Sequence, residues 1–148
     1  MLTVIIDARE DAQRLPVLLA QLTAGAVDGL VRQVLIVAAE GQAGIDDLCE
    51  ETGAEPHPTI EAAGLAARAE WLAVLPAGFR LRDGWIKALE GHLARGGAAA
   101  VVTGVPEGGL FSRRPYGVLV ERGRLDGRHG SDLQRLRREL GLRAGRIG

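Results

Sequence analysis

At 148 residues, 47% of them hydrophobic and 25% charged, the chain is sized for one domain with one core, which excludes disordered, fibrous and two-domain readings. No apolar run approaches the roughly 18 residues of a membrane span. The opening "MLTVIIDARED" turns acidic at once without a basic n-region, so it reads as a first strand of a cytoplasmic protein and not as a signal peptide. The net charge of −1 is unevenly spread: residues 122–148 hold eight Arg against three acids, leaving −6 on the first 121. That basic tail could attract phosphates, but it reads first as the solvated face of a helix, and no nucleic-acid partner is expected.

In chain order, "LTVIID" (2–7) is continuously apolar, as a strand covered on both faces should be. "AQRLPVLLAQLTAG" follows with Leu15, Leu18, Leu19 and Leu22 at helical spacing, Asp11 as cap and Gly25 as stop. "RQVLIVA" (32–38) is the next strand and "AGIDDLCEETG" (43–53) the next helix, ending at Gly53. The extended "AEPHP" leads to Thr59, an N-cap for "IEAAGLAARA". Then come the strand "WLAVL" (71–75), a helix from Asp83 through "GWIKALEGHLARG", and the strand "AAAVVTG" (98–104). Alternating short strands and amphipathic helices predict βαβ units and a mainly parallel sheet. From residue 105 the chain is Gly- and Arg-rich, with one strand-like segment "YGVLV" and a final amphipathic helix "SDLQRLRRELG" capped by Ser131.

The single cysteine, Cys49, excludes an intramolecular disulfide and reads as a buried small hydrophobe. Trp71 and Trp85 read as core, and Asp46, Asp47, Glu50 and Glu51 as the wet face of a helix. His57 and His92 show no metal-ligand spacing and receive no role.

Open parallel sheets bind ligands at the carboxyl ends of their strands, so chemistry is sought after residues 7, 38, 75 and 104. The first of these loops, "DARED", lacks the glycines of a dinucleotide turn, and no G-x-x-x-x-G-K stands anywhere. The third, "LPAG", lacks the strand-end acid of a phosphoacceptor domain.

What these loops do resemble is the GT-A fold of family 2 glycosyltransferases, over almost the whole chain. "LTVIIDARED" is similar to that family's first strand and its P-A-R-N-E loop, with Ala8, Arg9 and Glu10 matching and Asp7 standing where proline is usual. "LPVLLAQL" and "VRQVLIVA" fit the first helix and second strand. "AAGLAARAEWLAVLPAGFRLRDGWI" follows the pattern of helix, Trp-Leu strand, metal-binding Asp-x-Asp and "pGWI" helix, and "YGVLVERGRLDGRHGSDLQRLRREL" resembles the later strand and the Glu-Asp-x-Asp-Leu helix start. The resemblance implies a single GT-A-like, Rossmann-like α/β domain with a mostly parallel central sheet flanked by helices. Residues 1–104 would form its nucleotide-binding half and 105–148 a short, basic acceptor-side remnant.

Three acidic stations of that pattern are empty. Pro76 and Gly78 stand where the metal-binding acids would be, so a divalent metal is doubtful and no cofactor is expected. Ala38 and Ala39 replace the acids that hold base and ribose, leaving Glu40 nearby, and His129 and Gly130 replace the acidic pair before Asp132. The implied ligand is a nucleotide-sugar, held by Ala8, Arg9, Glu10 and Glu40, with Arg113 and Arg114 on its diphosphate and His129 and Asp132 as catalytic groups. The plainer reading makes Arg113, Arg114 and His129 surface residues of Gly-rich turns. Three functions stay open: a transferase that is metal-independent, weak or has lost transfer; a pseudoenzyme acting through a protein partner or homo-oligomer; and an α/β domain for another small ligand.

Overall fold

The computed structural model describes residues 1–106, 115–125, 132–139, 141 and 147. Within them the apolar runs form the strands β1 (Leu2–Asp7), β2 (Val31–Val37), β3 (Glu55–His57), β4 (Trp71–Pro76), β5 (Ala100–Thr103) and β6 (Tyr116–Glu121). The periodic segments form the helices α1 (Leu15–Val27), α2 (Ile45–Thr52), α3 (Ile60–Ala66), α4 (Trp85–Ala94) and α5 (Leu133–Glu139). The strands make one six-stranded sheet in the order β3-β2-β1-β4-β6-β5. β1 pairs in parallel with both β2 and β4, and β2 with β3, while β6 runs antiparallel to β4 and β5. This is the mostly parallel, helix-flanked α/β domain that the alternation of elements predicts. Ile147 adds a short parallel bridge on Val102, its N–H reaching the Val101 carbonyl at 2.9 Å.

Burial on both faces explains why the central strands carry no polar alternation. Leu2, Val4 and Ile6 of β1 and Leu75 of β4 point to one face, where Leu15, Leu18 and Leu22 of α1, Ile45 and Cys49 of α2 and Leu89 of α4 cover them. Ile5, Leu35, Val37, Leu72 and Val74 point to the other, under Ile60 and Ala63 of α3 and Leu136 of α5. Trp71 and Trp85 pack against the first of these cores, as expected of core aromatics. Cys49 is buried, and desolvation with nearby Asp46 pushes its thiol pKa up, so it behaves as an apolar filler and not as a nucleophile. The buried polar pair Thr3 and Gln33 fastens the segment before β4: Thr3 Oγ1 accepts from Ala69 N at 3.2 Å and Gln33 Oε1 from Arg68 N at 2.9 Å.

Helix ends depart from the sequence reading: α3 ends at Ala66, short of the expected segment, α4 begins at Trp85 and not at Asp83, and two assigned signals act otherwise. Asp11 does not cap α1; it takes a left-handed conformation (φ 57°) with no side-chain cap bond, and a 3-10 turn over Ala12–Arg14 intervenes before Leu15. Gly25 does not stop α1, which runs on to Val27 and ends at Gly29, whose φ of 83° is the left-handed turn that glycine permits. Gly25 is small for a packing reason: a Cβ there would sit 2.8 Å from Val31 Cγ2 and against the Trp85 ring. At α5 the Asp132 carboxylate accepts from Arg135 N at 2.7 Å and does the capping; Ser131 lies outside the described residues. Thr59 caps α3 as expected, accepting from Ala62 N at 3.0 Å.

Gly25→Ala sets a helix-propensity gain of about 1 kcal/mol against an overpacking cost of about 1–3 kcal/mol. Because the space is closed by a strand side chain and a ring, overpacking wins. We expect a lower urea midpoint at unchanged m-value, a net loss of about 1 kcal/mol.

Candidate functional site

The loop after β4, "PAGFRL", is built as a rigid floor. Phe79 N–H donates to the Pro76 carbonyl at 3.0 Å, closing a tight turn, and the Phe79 ring and Leu81 side chain are buried in the core below it. Gln21 of α1 clamps the loop from one side, its Nε2 donating to the Leu81 carbonyl at 3.2 Å and its Oε1 accepting from Leu81 N at 3.0 Å. From the other side Val105 N–H reaches the Arg80 carbonyl at 2.8 Å, and Gly104 packs so closely that a Cβ would lie 3.0 Å from the Phe79 ring.

Above this floor, at the carboxyl ends of β1 and β4, opens a cleft of about 510 Å³. Asp7, Arg9 and Glu10 wall it on the β1 side, Pro76, Ala77 and Gly78 form its base, and Asp132 closes it from the start of α5. Register brings these together: Asp7 pairs with Pro76 across the sheet, and Ala77 N–H donates to the Asp7 carbonyl at 3.1 Å. Asp7 and Arg9 form a bidentate pair, Nε to Oδ1 at 2.9 Å and Nη2 to Oδ2 at 2.8 Å, half-buried at 31% and 19% exposure. The hydrogen-bonded Asp7 carboxylate raises the Arg9 pKa against the opposing effect of burial, with weaker attraction from Asp132 and Glu10.

A second cleft of about 350 Å³ lies at the end of β2, where Ala38, Ala39, Glu40, Gln42, Pro56 and His57 meet. Gln42 ties it to the first: its Nε2 donates to the Ala8 carbonyl at 2.8 Å while its Oε1 accepts from Ala39 N at 2.9 Å. His57 Nε2 is buried with no hydrogen-bond partner, and Glu55 Oε2 stands 3.9 Å away.

The structure thus brings Arg9, Glu10 and Asp132 into one cleft and places Glu40 in the neighbouring one. Ala8 is fully buried, its N–H bonded to the Val37 carbonyl at 2.8 Å and its carbonyl to Gln42, so it shapes the loop from beneath. Arg113, Arg114 and His129 lie outside the described residues. Sequence reasoning noted Asp7 only as standing where proline is usual, gave His57 no role and did not single out Gln42. Asp7 was legible as an acid ending a central strand; for Gln42 no local signal exists, because its two bonds span separate loops.

The residues at the base of the first cleft do not fit a divalent ion. Pro76 and Gly78 offer no side-chain oxygen, the Asp7 carboxylate is engaged by Arg9, and among the described residues no three His, Cys, Asp or Glu side chains cluster around one point. Among the described residues no helix is long and apolar enough to cross a membrane.

The fold is GT-A-like, as comparison with solved structures shows. Glucosyl-3-phosphoglycerate synthase from Mycobacterium tuberculosis, solved with Mn2+, uridine diphosphate and glucosyl-3-phosphoglycerate, superposes with a TM-score of 0.61 at 12% identity, over 83% of this chain and 57% of that one. Mannosyl-3-phosphoglycerate synthase from Rubrobacter xylanophilus gives 0.55 at 15%, over 69% of this chain and 38% of that one. 4-Diphosphocytidyl-2C-methyl-D-erythritol synthase from Anaerococcus prevotii gives 0.55 at 12%, over 99% and 86%. The chain therefore spans well under two thirds of the two phosphoglycerate synthases, and at these identities the likeness is one of fold. No protein-family model and no curated protein sequence matches it.

Gln21→Ala removes both clamps on Leu81 and leaves a half-buried N–H and C=O to find water. We expect a loss of about 1–2 kcal/mol in stability and faster hydrogen exchange at the Leu81 amide, while amides of β1 keep their protection.

Proposed function

We propose that the chain is a glycosyltransferase-like protein of family 2 type that binds the nucleoside diphosphate part of a nucleotide-sugar along the carboxyl edge of its sheet. The observation that carries this reading is the pair of linked clefts on one edge, one walled by Asp7, Arg9 and Asp132, the other open at Ala38 and Ala39. The first has room for a phosphate-bearing group, with Arg9 the cation on its described wall among Asp7, Glu10, Asp11 and Asp132, and the second has room for a base, with Glu40 beside it. Residues 1–104 supply the nucleotide side and residues 105–148 the acceptor side, where Asp132, with His129 near it in sequence, is the candidate general base.

Transfer, where it occurs, proceeds without a bound divalent ion or is weak, because the positions that would hold the ion carry no oxygen. The same vacancy of acids supports a second reading, in which the fold binds nucleotide without transfer and works through a protein partner or its own oligomer. The fold shared with a uridine diphosphate complex supports the nucleotide in either case.

Thermal-shift and calorimetric titration with UDP, GDP, dTDP and CDP, each with manganese and with chelator, tests the proposal. We expect one nucleotide to stabilise the protein equally in both conditions, by about 2.7 kcal/mol at one hundred times its Kd. Indifference to all of them sinks the nucleotide reading; binding without any sugar transfer or sugar-nucleotide hydrolysis selects the second reading over the first.

A further inference from the structure

A third hollow, of about 580 Å³, runs along α1 and shares no residue with either cleft. Its lining includes the buried Leu22 and half-buried Val34, with Leu48, Glu51 and Thr52 on the α2 side, and Glu51 is its one ionisable residue. Both threonine hydroxyls in it are engaged within their own helices, Thr23 Oγ1 donating to the Leu19 carbonyl at 3.1 Å and Thr52 Oγ1 to the Leu48 carbonyl at 2.7 Å. The hollow is therefore apolar in chemistry as well as in composition.

The helix beside it departs from what a surface helix should be. None of the 13 residues of α1 is charged, yet Pro16, Val17, Ala20, Thr23, Ala24 and Val27 are exposed, Val17 by 51% and Val27 by 82%. A surface helix ordinarily sets charged residues on its outer face, as α2 does with Asp46, Asp47, Glu50 and Glu51. A contiguous apolar face beside an apolar hollow marks an interaction surface. We propose that this face is the contact of a twofold dimer, in which α1 of a second copy lies antiparallel along this α1 and each helix enters the hollow of the other. The proposal names the face for the oligomeric reading above and is independent of the nucleotide.

Charge complementarity selects a second copy and its direction. An uncharged helix brings nothing against Glu51 across the hollow. Before α1 stand the exposed Glu10 and Asp11, and beyond its end stands the exposed Arg32, beside Ala26 in a smaller hollow and with Nη1 on the Met1 sulfur at 3.3 Å. Reversing one copy against the other turns Arg32 toward the two acids of the second copy, whereas a parallel pairing would set those acids against their own counterparts. The exposed Asp28, at the C-cap, meets the positive end of the opposing helix, whose first turn holds no acid. With Ala20, Thr23 and Ala24 in the contact, the two axes can approach to about 8 Å. The helix is about 20 Å long. With the α2 wall included, the interface reaches on the order of 1,000 Å² in total, the lower end for a specific complex, which sets the dimer at micromolar concentrations.

Analytical ultracentrifugation of the full chain across the micromolar range tests this. We expect the wild type to pass from monomer to dimer and no further. Ala20→Glu, at an exposed helical position, is expected to raise the dissociation constant at least about a hundredfold, because the twofold axis brings two unpaired carboxylates into one apolar contact. Leu65→Glu serves as control, since Leu65 is 85% exposed on α3, across the sheet from α1, and is expected to leave the dimer unchanged. Thermal melts at low concentration confirm that each variant folds as a monomer. A dimer that survives Ala20→Glu, or that Leu65→Glu weakens equally, overturns the α1 face and leaves the oligomeric reading standing. A monomer at every concentration overturns both, and growth beyond the dimer overturns the twofold contact. None of these outcomes touches the nucleotide reading, which the titrations decide.

Discussion

Everything at the functional edge depends on where β1 stops. Its parallel register with both neighbours sets Asp7 opposite Val37 on one side and Pro76 on the other, so three strands release their chains along one line. The loops that follow are then neighbours whatever their sequences, and each begins with its backbone still bonded across the sheet: Ala8 N to Val37 O, Ala77 N to Asp7 O, Ala38 N to His57 O. Parallel strands buried on both faces make this alignment costly to shift, because slipping one residue would turn every apolar side chain of β1 to the wrong core. The site inherits its precision from that register, not from any bond within it.

Given the line, the loop after β4 is held in place from several elements. Phe79 and Leu81 anchor it in the core, Gln21 clamps its backbone, and Gly104 is kept small so that the strand end beyond β5 can press on the Phe79 ring. The restraints hold Pro76, Ala77 and Gly78 as a fixed, oxygen-free base for the cleft.

How much of this was legible in the sequence follows from the range of the interactions. The strands and most helices were, because period and capping are local: Thr59 capping α3 and Gly53 ending α2 are each read within a few residues. Gly25 was misread because a glycine late in a helical pattern signals a stop only when nothing packs on it, and Trp85 lies sixty residues away in sequence. Asp11 was assigned as a cap by type, but the turn there is a backbone device; Ser131, assigned in the same way, lies outside the described residues. Of the candidate site, Arg9, Glu10 and Asp132, singled out through the family resemblance, line one cleft, whereas Gln42 acts through contacts between separate loops that no spacing reveals.

That asymmetry bears on how the empty acidic stations are to be understood. Read along the chain, Pro76 and Gly78 are absences, and absences accumulate easily under drift. Read in space, Gly78 is packed: a Cβ there would lie 2.8 Å from Arg14 Cζ, so the far end of that side chain occupies the room beside it. A carboxylate at position 78 would have to displace the guanidinium before it could gather an ion, so regaining the missing oxygens is a matter of packing as well as of residue type.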